Sequence, residues 1–228
     1  MSASVDAVVL TNTASQEFHE MTRTTLDTLR GACGEIKLNL FVVESNPAAS
    51  ESWLVYEGCN TLTPNSKFNY NLFMQMGLEL GDSEHVLMCN NDLIFEPGSV
   101  SLLISQMAVH GLESASPYEP NWHVRYYGKH PPDDPVLGYE IENHVCGWCI
   151  CARRDMLGRV GPLDERFSFW CQDSNYSKTL QREGVRHALV PRSMVRHEFS
   201  RSHGLLGERH HEMTHGQKTT MLEKWGQL

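Results

Sequence analysis

Three short stretches of this chain hold residue types that can do chemistry. Asn90-Asn91-Asp92 closes the apolar run Val86-Leu87-Met88 and precedes Leu93-Ile94-Phe95. A carboxylate at the mouth of a buried strand, flanked by two carboxamides, is a place to hold a divalent cation against phosphate oxygens. Oxygen donors suit Mg2+ or Mn2+, which bind through one or two carboxylates together with substrate phosphates. Taken alone, the tripeptide also marks a strand-to-turn boundary.

His211-Glu212-Met213-Thr214-His215 is a literal H-E-x-x-H, the two-histidine zinc helix of metallopeptidases. Only thirteen residues follow it, with Glu223 as the downstream third ligand, and no substrate-binding sheet is evident nearby. A structural or adventitious metal on His203, His210, His211 and His215 is the better use of that cluster. Cys146-Gly147-Trp148-Cys149 spells C-x-x-C, which in a redox protein should open a helix after an early strand. Here it lies inside a strand-like run late in the chain, so buried thiols are expected.

At 228 residues the chain is long enough for one well-buried core. No run approaches the roughly 20 apolar residues of a membrane span. Met1-Ser2-Ala3-Ser4-Val5-Asp6 lacks the basic start of a signal peptide. Seven cysteines, an odd number without a secretion signal, predict reduced thiols in a cytoplasm. The net charge of −9 is unevenly spread. Residues 1–149 hold six Lys and Arg against nineteen Asp and Glu, whereas residues 150–209 hold eleven, mostly arginine, against seven. An anionic ligand would be met by Arg153, Arg154, Arg182, Arg192, Arg196 or Arg201. Overall acidity argues against strong non-specific DNA binding, though not against a local basic groove.

The elements that must position these residues follow from apolar runs and their breakers. Val5–Leu10 and Leu38–Val43 read as buried strands. Between them, 16–30 reads as an amphipathic helix on Phe18, Met21, Leu26 and Leu29, stopped at Gly31. A helix over 68–80, stopped by Gly81, leads to a third strand at Val86–Cys89. This alternation predicts a parallel sheet with helices on both faces, and in such sheets ligands bind beyond the carboxyl ends of the strands. Thr11, Glu44 and Asp92 all stand at such ends. Further on come helices at 98–110, 154–160 and 174–183, and a proline-rich irregular stretch at 111–143. Asn143–Ala152 and His187–Val190 have strand character, and the last 25 residues read as a helical tail.

In order and spacing, these pieces resemble family 2 glycosyltransferases, nearly end to end. Val8-Val9-Leu10-Thr11-Asn12 resembles the opening nucleotide-binding strand, and Val42-Val43-Glu44-Ser45-Asn46 the second, whose acidic residue faces the uracil or ribose. Asn90-Asn91-Asp92 resembles the D-x-D-type metal motif, and Gly147-Trp148-Cys149-Ile150 the acceptor-side strand. Val160 to Phe167 and Phe169-Trp170-Cys171-Gln172-Asp173 resemble the stretch carrying the catalytic base, continued by Leu180 to Gly184 and Val195-Arg196-His197. Two departures stand out. The base motif reads Gln172-Asp173 where Glu-Asp is usual, and Gln75 precedes Gly77 where an asparagine is usual, with Asn69 and Asn71 a turn earlier.

The resemblance implies an α/β protein of the GT-A fold, with a Rossmann-like, mostly parallel central sheet and helices on both faces. That domain would span 1–203, with a helical tail, 204–228, packed on it. The implied reaction moves a hexosyl or pentosyl group from a nucleotide-sugar donor, UDP-linked, to a hydroxyl acceptor. Thr11, Asn12, Glu44, Asn71, Gln75, Asn90, Asn91, Asp92 and Arg201 would hold the donor. Asp92 and His197 would hold Mn2+ or Mg2+, and Gly147, Trp148 and Trp170 would meet the acceptor. Asp173 would take the acceptor proton, and one base without a covalent nucleophile implies inversion. Read from residue types alone, His197 is a hydrogen-bonded strand end, Asp173 a helix cap, and both tryptophans core.

With no amphipathic basic helix and no span, the expected acceptor is soluble: a saccharide, a protein or a modified nucleic-acid base. The compact form also resembles bacteriophage glycosyltransferases, some of which decorate hydroxymethylated DNA bases, and would then work in the host cytoplasm. A non-catalytic sugar-nucleotide-binding protein and a zinc metallopeptidase are the remaining alternatives.

Overall fold

A computed structural model describes residues 3–49, 56–198 and 209–226, with only the backbone described for 209–215. The first half runs β1 (Ser4–Thr11), α1 (Gln16–Ala32), β2 (Lys37–Glu44), β3 (Cys59–Leu62), α2 (Tyr70–Leu78), β4 (His85–Asn90), β5 (Leu93–Phe95) and α3 (Ser99–His110). There follow β6 (Ser114–Tyr118), α4 (Pro120–Tyr127), β7 (Val136–Leu137), β8 (Cys149–Arg153), α5 (Arg154–Val160), α6 (Gln172–Arg182), β9 (His187–His197) and α7 (Arg209–Trp225).

Strand side chains alternate between faces with a period of two, and here each face has its own core. Val5, Ala7 and Val9 of β1, Leu87 and Cys89 of β4, and Cys149 and Cys151 of β8 pack on one side with Leu26 and Leu29 of α1 and Leu103 and Met107 of α3. Val8 and Leu10, Val86 and Met88, and Ile150 and Ala152 pack on the other, with Phe73 and Met74 of α2, Met156 of α5 and Leu180 of α6. Burial on both faces explains why these strands read as continuous apolar runs.

Among the described residues the sheet has the order β3-β2-β1-β4-β8-β6-β9-β5, with β7 pairing on β9. Strands β1 to β4 run parallel. Antiparallel β8 then separates β4 from the parallel pair β6 and β9. The parallel half thus aligns the carboxyl ends of β1, β2 and β4. Gly77 lets α2 approach that half closely, because a Cβ there would lie 2.3 Å from Val8 Cγ1.

Three expectations need correction. The stretch at 111–143 is not irregular throughout, since it carries β6, α4 and β7. Strand structure within 143–152 begins only at Cys149. The strand expected at His187–Val190 continues through Pro191 to His197. Val190 pairs with Pro117 and Met194 with Tyr118, so the register slips at the proline. Beyond it the strand turns to β5, where Val195 to His197 find new antiparallel partners.

The end of α7 docks on the α2 and α6 side. Lys224 Nζ donates to Asp164 Oδ2 and to Asn175 Oδ1, each at 2.8 Å, and Trp225 Nε1 donates to Asn175 Oδ1 at 3.1 Å. Among the described residues no helix is long and apolar enough to cross a membrane.

Candidate active site

The metal-type motif is gripped from behind by a row of threonines on α1. Thr25 Oγ1 donates to the Asn91 carbonyl at 2.8 Å and accepts from Leu93 N at 3.0 Å, while Thr28 Oγ1 accepts from Phe95 N at 3.2 Å. Asn91 turns inward as well, its Nδ2 donating to Thr11 Oγ1 at 2.9 Å and Thr22 Oγ1 at 3.0 Å. The neighbouring Asp92 meets β9. Leu93 pairs with His197, Glu198 N donates to the Asp92 carbonyl at 2.9 Å, and His197 Nε2 lies 3.1 Å from Asp92 Oδ1. The Trp148 ring stacks on the His197 imidazole, with centroids 5.5 Å apart and planes at 29°. That stack fixes the ring that faces Asp92.

Asp173 sits in the first turn of α6, and its position depends on two backbone features. Cys171 before it adopts φ +59°, a left-handed conformation rare for a side-chain-bearing residue. Gly147 then leaves room for the carboxylate, since a Cβ there would lie 2.9 Å from Asp173 Cβ and 3.3 Å from its Oδ2. Burial pushes the Asp173 carboxyl up from its ordinary range, opposed by the hydrogen bond it accepts from Ser174 N at 2.7 Å. Sequence reasoning missed Tyr70, whose hydroxyl stands 3.5 Å from Asn90 Oδ1 and 3.4 Å from the Gly147 carbonyl. It joins the metal motif to the glycine under Asp173.

The other expected donor residues make intramolecular bonds. Glu44 is fully buried and accepts from Thr13 N at 3.0 Å and Asn46 N at 2.7 Å, ordering the loop after β1. The Asn12 carbonyl accepts from Ala14 N at 3.0 Å in that loop. From α2, Asn71 Nδ2 donates to the Asp164 carbonyl at 2.9 Å, and Gln75 Oε1 accepts from Leu163 N at 3.2 Å. Trp170 is 37% exposed beside Phe169. Several of the arginines expected to meet an anion are ion-paired: Arg153 with Asp155, Arg154 with Asp6, Arg182 with Glu183 and Arg196 with Glu96. Arg201, His203 and the side chains of His210, His211 and His215 lie outside the described residues. Cys146 and Cys149 are free, buried thiols, and burial pushes both up, away from thiolate chemistry.

Among solved structures the chain is similar to the mannosyltransferase PcManGT from Pyrobaculum calidifontis, solved in complex with GDP-Man and Mn2+. The TM-score is 0.64 at 14% identity, over 89% of this chain and 59% of that one. The chain has the GT-A fold. No protein-family model matches it, and no curated protein does. At that identity the likeness speaks for the GT-A architecture, and this chain spans about 59% of the neighbour's length.

Within this GT-A frame, the Asp92–His197 pair fits a divalent cation. Asp92 Oδ1 is enclosed and accepts no hydrogen bond among the described residues, the His197 contact being close but outside hydrogen-bond geometry. Such an oxygen leaves a desolvation cost uncompensated, which a cation shared with the imidazole would offset. No cluster of three or more His, Cys, Asp or Glu of metal-binding type exists among the described residues. Two protein donors suit Mn2+ or Mg2+, which take further oxygens from ligand phosphates and water.

Proposed function

We propose that this protein is an inverting, metal-dependent glycosyltransferase that moves a sugar from a nucleotide-sugar donor, UDP-linked, to a hydroxyl acceptor. The observation that carries the reading is the 3.1 Å approach of His197 Nε2 to Asp92 Oδ1. It stands at the carboxyl end of β4, with Tyr70 linking it toward the glycine that receives Asp173. Asp92 and His197 would hold the cation. When bound, it supplies positive charge that offsets the charge growing on the departing diphosphate.

Asp173 is the proton acceptor in this reading. Burial raises its basicity, and an ionised carboxylate takes the proton of the acceptor hydroxyl as the new bond forms. One such base and no covalent nucleophile give direct displacement with inversion. The likeness to an enzyme solved with GDP-Man and Mn2+ supports a nucleotide-sugar donor and makes GDP sugars the competing donor class. A saccharide acceptor is favoured by the adjoining, partly exposed Phe68, Phe169 and Trp170 rings, the last two just ahead of Asp173 in the chain, because flat aromatic faces suit sugar rings.

The test is release of nucleoside diphosphate from UDP- and GDP-sugars, in Mn2+ and in EDTA. Turnover in Mn2+ that EDTA abolishes is expected, with Asp173→Asn retaining donor binding but losing transfer. Full transfer by Asp173→Asn would remove the base assignment.

A further inference from the structure

Tyr70 is the first residue of α2, and its neighbours all face one way. Asn69 caps the helix and donates to the Glu165 carbonyl at 2.7 Å, Asn71 and Gln75 bond the 163–164 backbone, and Tyr70 N donates to the Ser168 carbonyl at 2.6 Å. The Tyr70 ring points the other way, toward the end of β4. There its hydroxyl meets two acceptors, Asn90 Oδ1 at 3.5 Å and the Gly147 carbonyl at 3.4 Å. A phenol has one proton to give, and good O–H···O bonds are about 2.7–2.8 Å long. Both contacts are longer than that. Burial, with the charges of Asp173 and Asp92 among its neighbours, pushes the phenol up and keeps the proton in place.

We propose that the Tyr70 hydroxyl donates a hydrogen bond to the sugar of the nucleotide-sugar donor, and so helps select that sugar. The inference rests on the glycosyltransferase reading. Asn90 lies two residues before Asp92, and Gly147 is the surface on which Asp173 rests. A diphosphate held at Asp92 and an acceptor hydroxyl held at Asp173 must have the transferred sugar between them. The hydroxyl of Tyr70 faces that interval with a donor that the protein leaves underused. A site built to bond a substrate hydroxyl rejects analogues that lack it, because its own group is then left unpaired.

The test compares binding of UDP-glucose and GDP-mannose with that of UDP and GDP, in Mn2+, by calorimetry on wild type and Tyr70→Phe. Loss of one neutral hydrogen bond should weaken the nucleotide sugar by roughly three- to tenfold, with the matching diphosphate within about twofold. Equal weakening of both, or of neither, overturns the proposal. Asp92→Ala separates this from the parent reading. If it binds the diphosphate in Mn2+ as tightly as wild type, the cation site fails, whatever Tyr70→Phe does. A wild-type crystal structure with the tightest-binding nucleotide sugar and Mn2+ covers a poorly folding variant. Tyr70 Oη within about 3.2 Å of a sugar hydroxyl is expected, and no sugar oxygen within about 4 Å overturns it.

Discussion

His197 Nε2 stands 3.1 Å from Asp92 Oδ1, the one closing β9 and the other just preceding β5, its partner strand. In the proposed cation site neither residue can replace the other, since one offers an oxygen donor and the other a nitrogen donor. Asp92→Ala and His197→Ala should each lower Mn2+ affinity by about tenfold or more and turnover by about 10²–10³-fold. Titrating turnover with Mn2+ checks both. Wild-type turnover by Asp92→Ala in EDTA would take the cation out of the reaction.

Gly147→Ala tests how finely Asp173, the proposed base, is placed. The new methyl would stand 2.9 Å from Asp173 Cβ, and Asp173 is fixed by the first turn of α6. A carboxylate displaced by even about 1 Å can cost roughly 10²-fold in rate. Expected is a kcat about 10- to 100-fold lower with donor KM within about twofold, and a stability loss of about 1–3 kcal/mol. Initial-rate kinetics with a urea melt separate the two effects.

Cys171 carries a cost that glycine would remove. Its φ of +59° is a conformation that costs an L-residue roughly 1–2 kcal/mol. Glycine adds unfolded-state freedom worth about 0.5–1 kcal/mol, so Cys171→Gly should stabilise by about 0.5–1 kcal/mol. A higher urea midpoint with an unchanged slope is the signature. A lower midpoint would mean that the cysteine side chain makes contacts worth more than the backbone strain.

Much of this architecture was legible because β1, β2 and β4 are buried on both faces and read as apolar runs. The helices at 99–110 and 154–160 follow their expected bounds closely. What escaped is polar or broken. The buried face of α1 is Thr22, Thr25, Leu26, Leu29 and Ala32, whereas Phe18 and Met21 are only partly buried. Threonines that bond backbone groups leave no trace in a hydrophobic period. Edge strand β3, Cys59–Leu62, has no fully buried residue to announce it. Proline ended the expected strand at Val190, although Pro191 merely shifts it from one partner to the next. The Asp92–His197 meeting was reached through family resemblance, because no local pattern links residues so far apart.

Two buried histidines should contribute to the acid limit of stability. His187 gives Nε2–H to the His144 carbonyl at 2.9 Å, and His123 Nδ1 accepts from Glu119 N at 2.8 Å. Burial holds both down at about 4, against an ordinary value near 6.5. Between those pH values the unfolded chain binds more protons than the folded one. Stability is therefore full above about pH 6.5 and falls as pH drops toward 4, by up to roughly 3 kcal/mol for each histidine. Urea melts at pH 7.5, 6 and 5 should show the decline, and His187→Gln should make it shallower. An unchanged slope in that variant would place the titration elsewhere.

Thr25→Val tests whether the threonine row positions Asp92 or merely fills space. Valine keeps the branched shape and loses one hydroxyl that bonds two buried backbone groups, the Asn91 carbonyl and Leu93 N. Each group left unpaired costs about 1–3 kcal/mol, so a loss of about 2–4 kcal/mol is expected once partial relaxation is allowed. Those two groups bracket Asp92 in the chain, so the slack appears at the carboxylate that faces His197. Turnover should therefore fall by about tenfold or more at saturating donor, and Mn2+ affinity with it. Thr25→Ser restores the hydroxyl but not the methyl, and should recover the Mn2+ affinity while keeping a small stability deficit. Should Ser and Val lower Mn2+ affinity equally, the methyl packing rather than the hydrogen bonds holds the motif, and the clamp is steric.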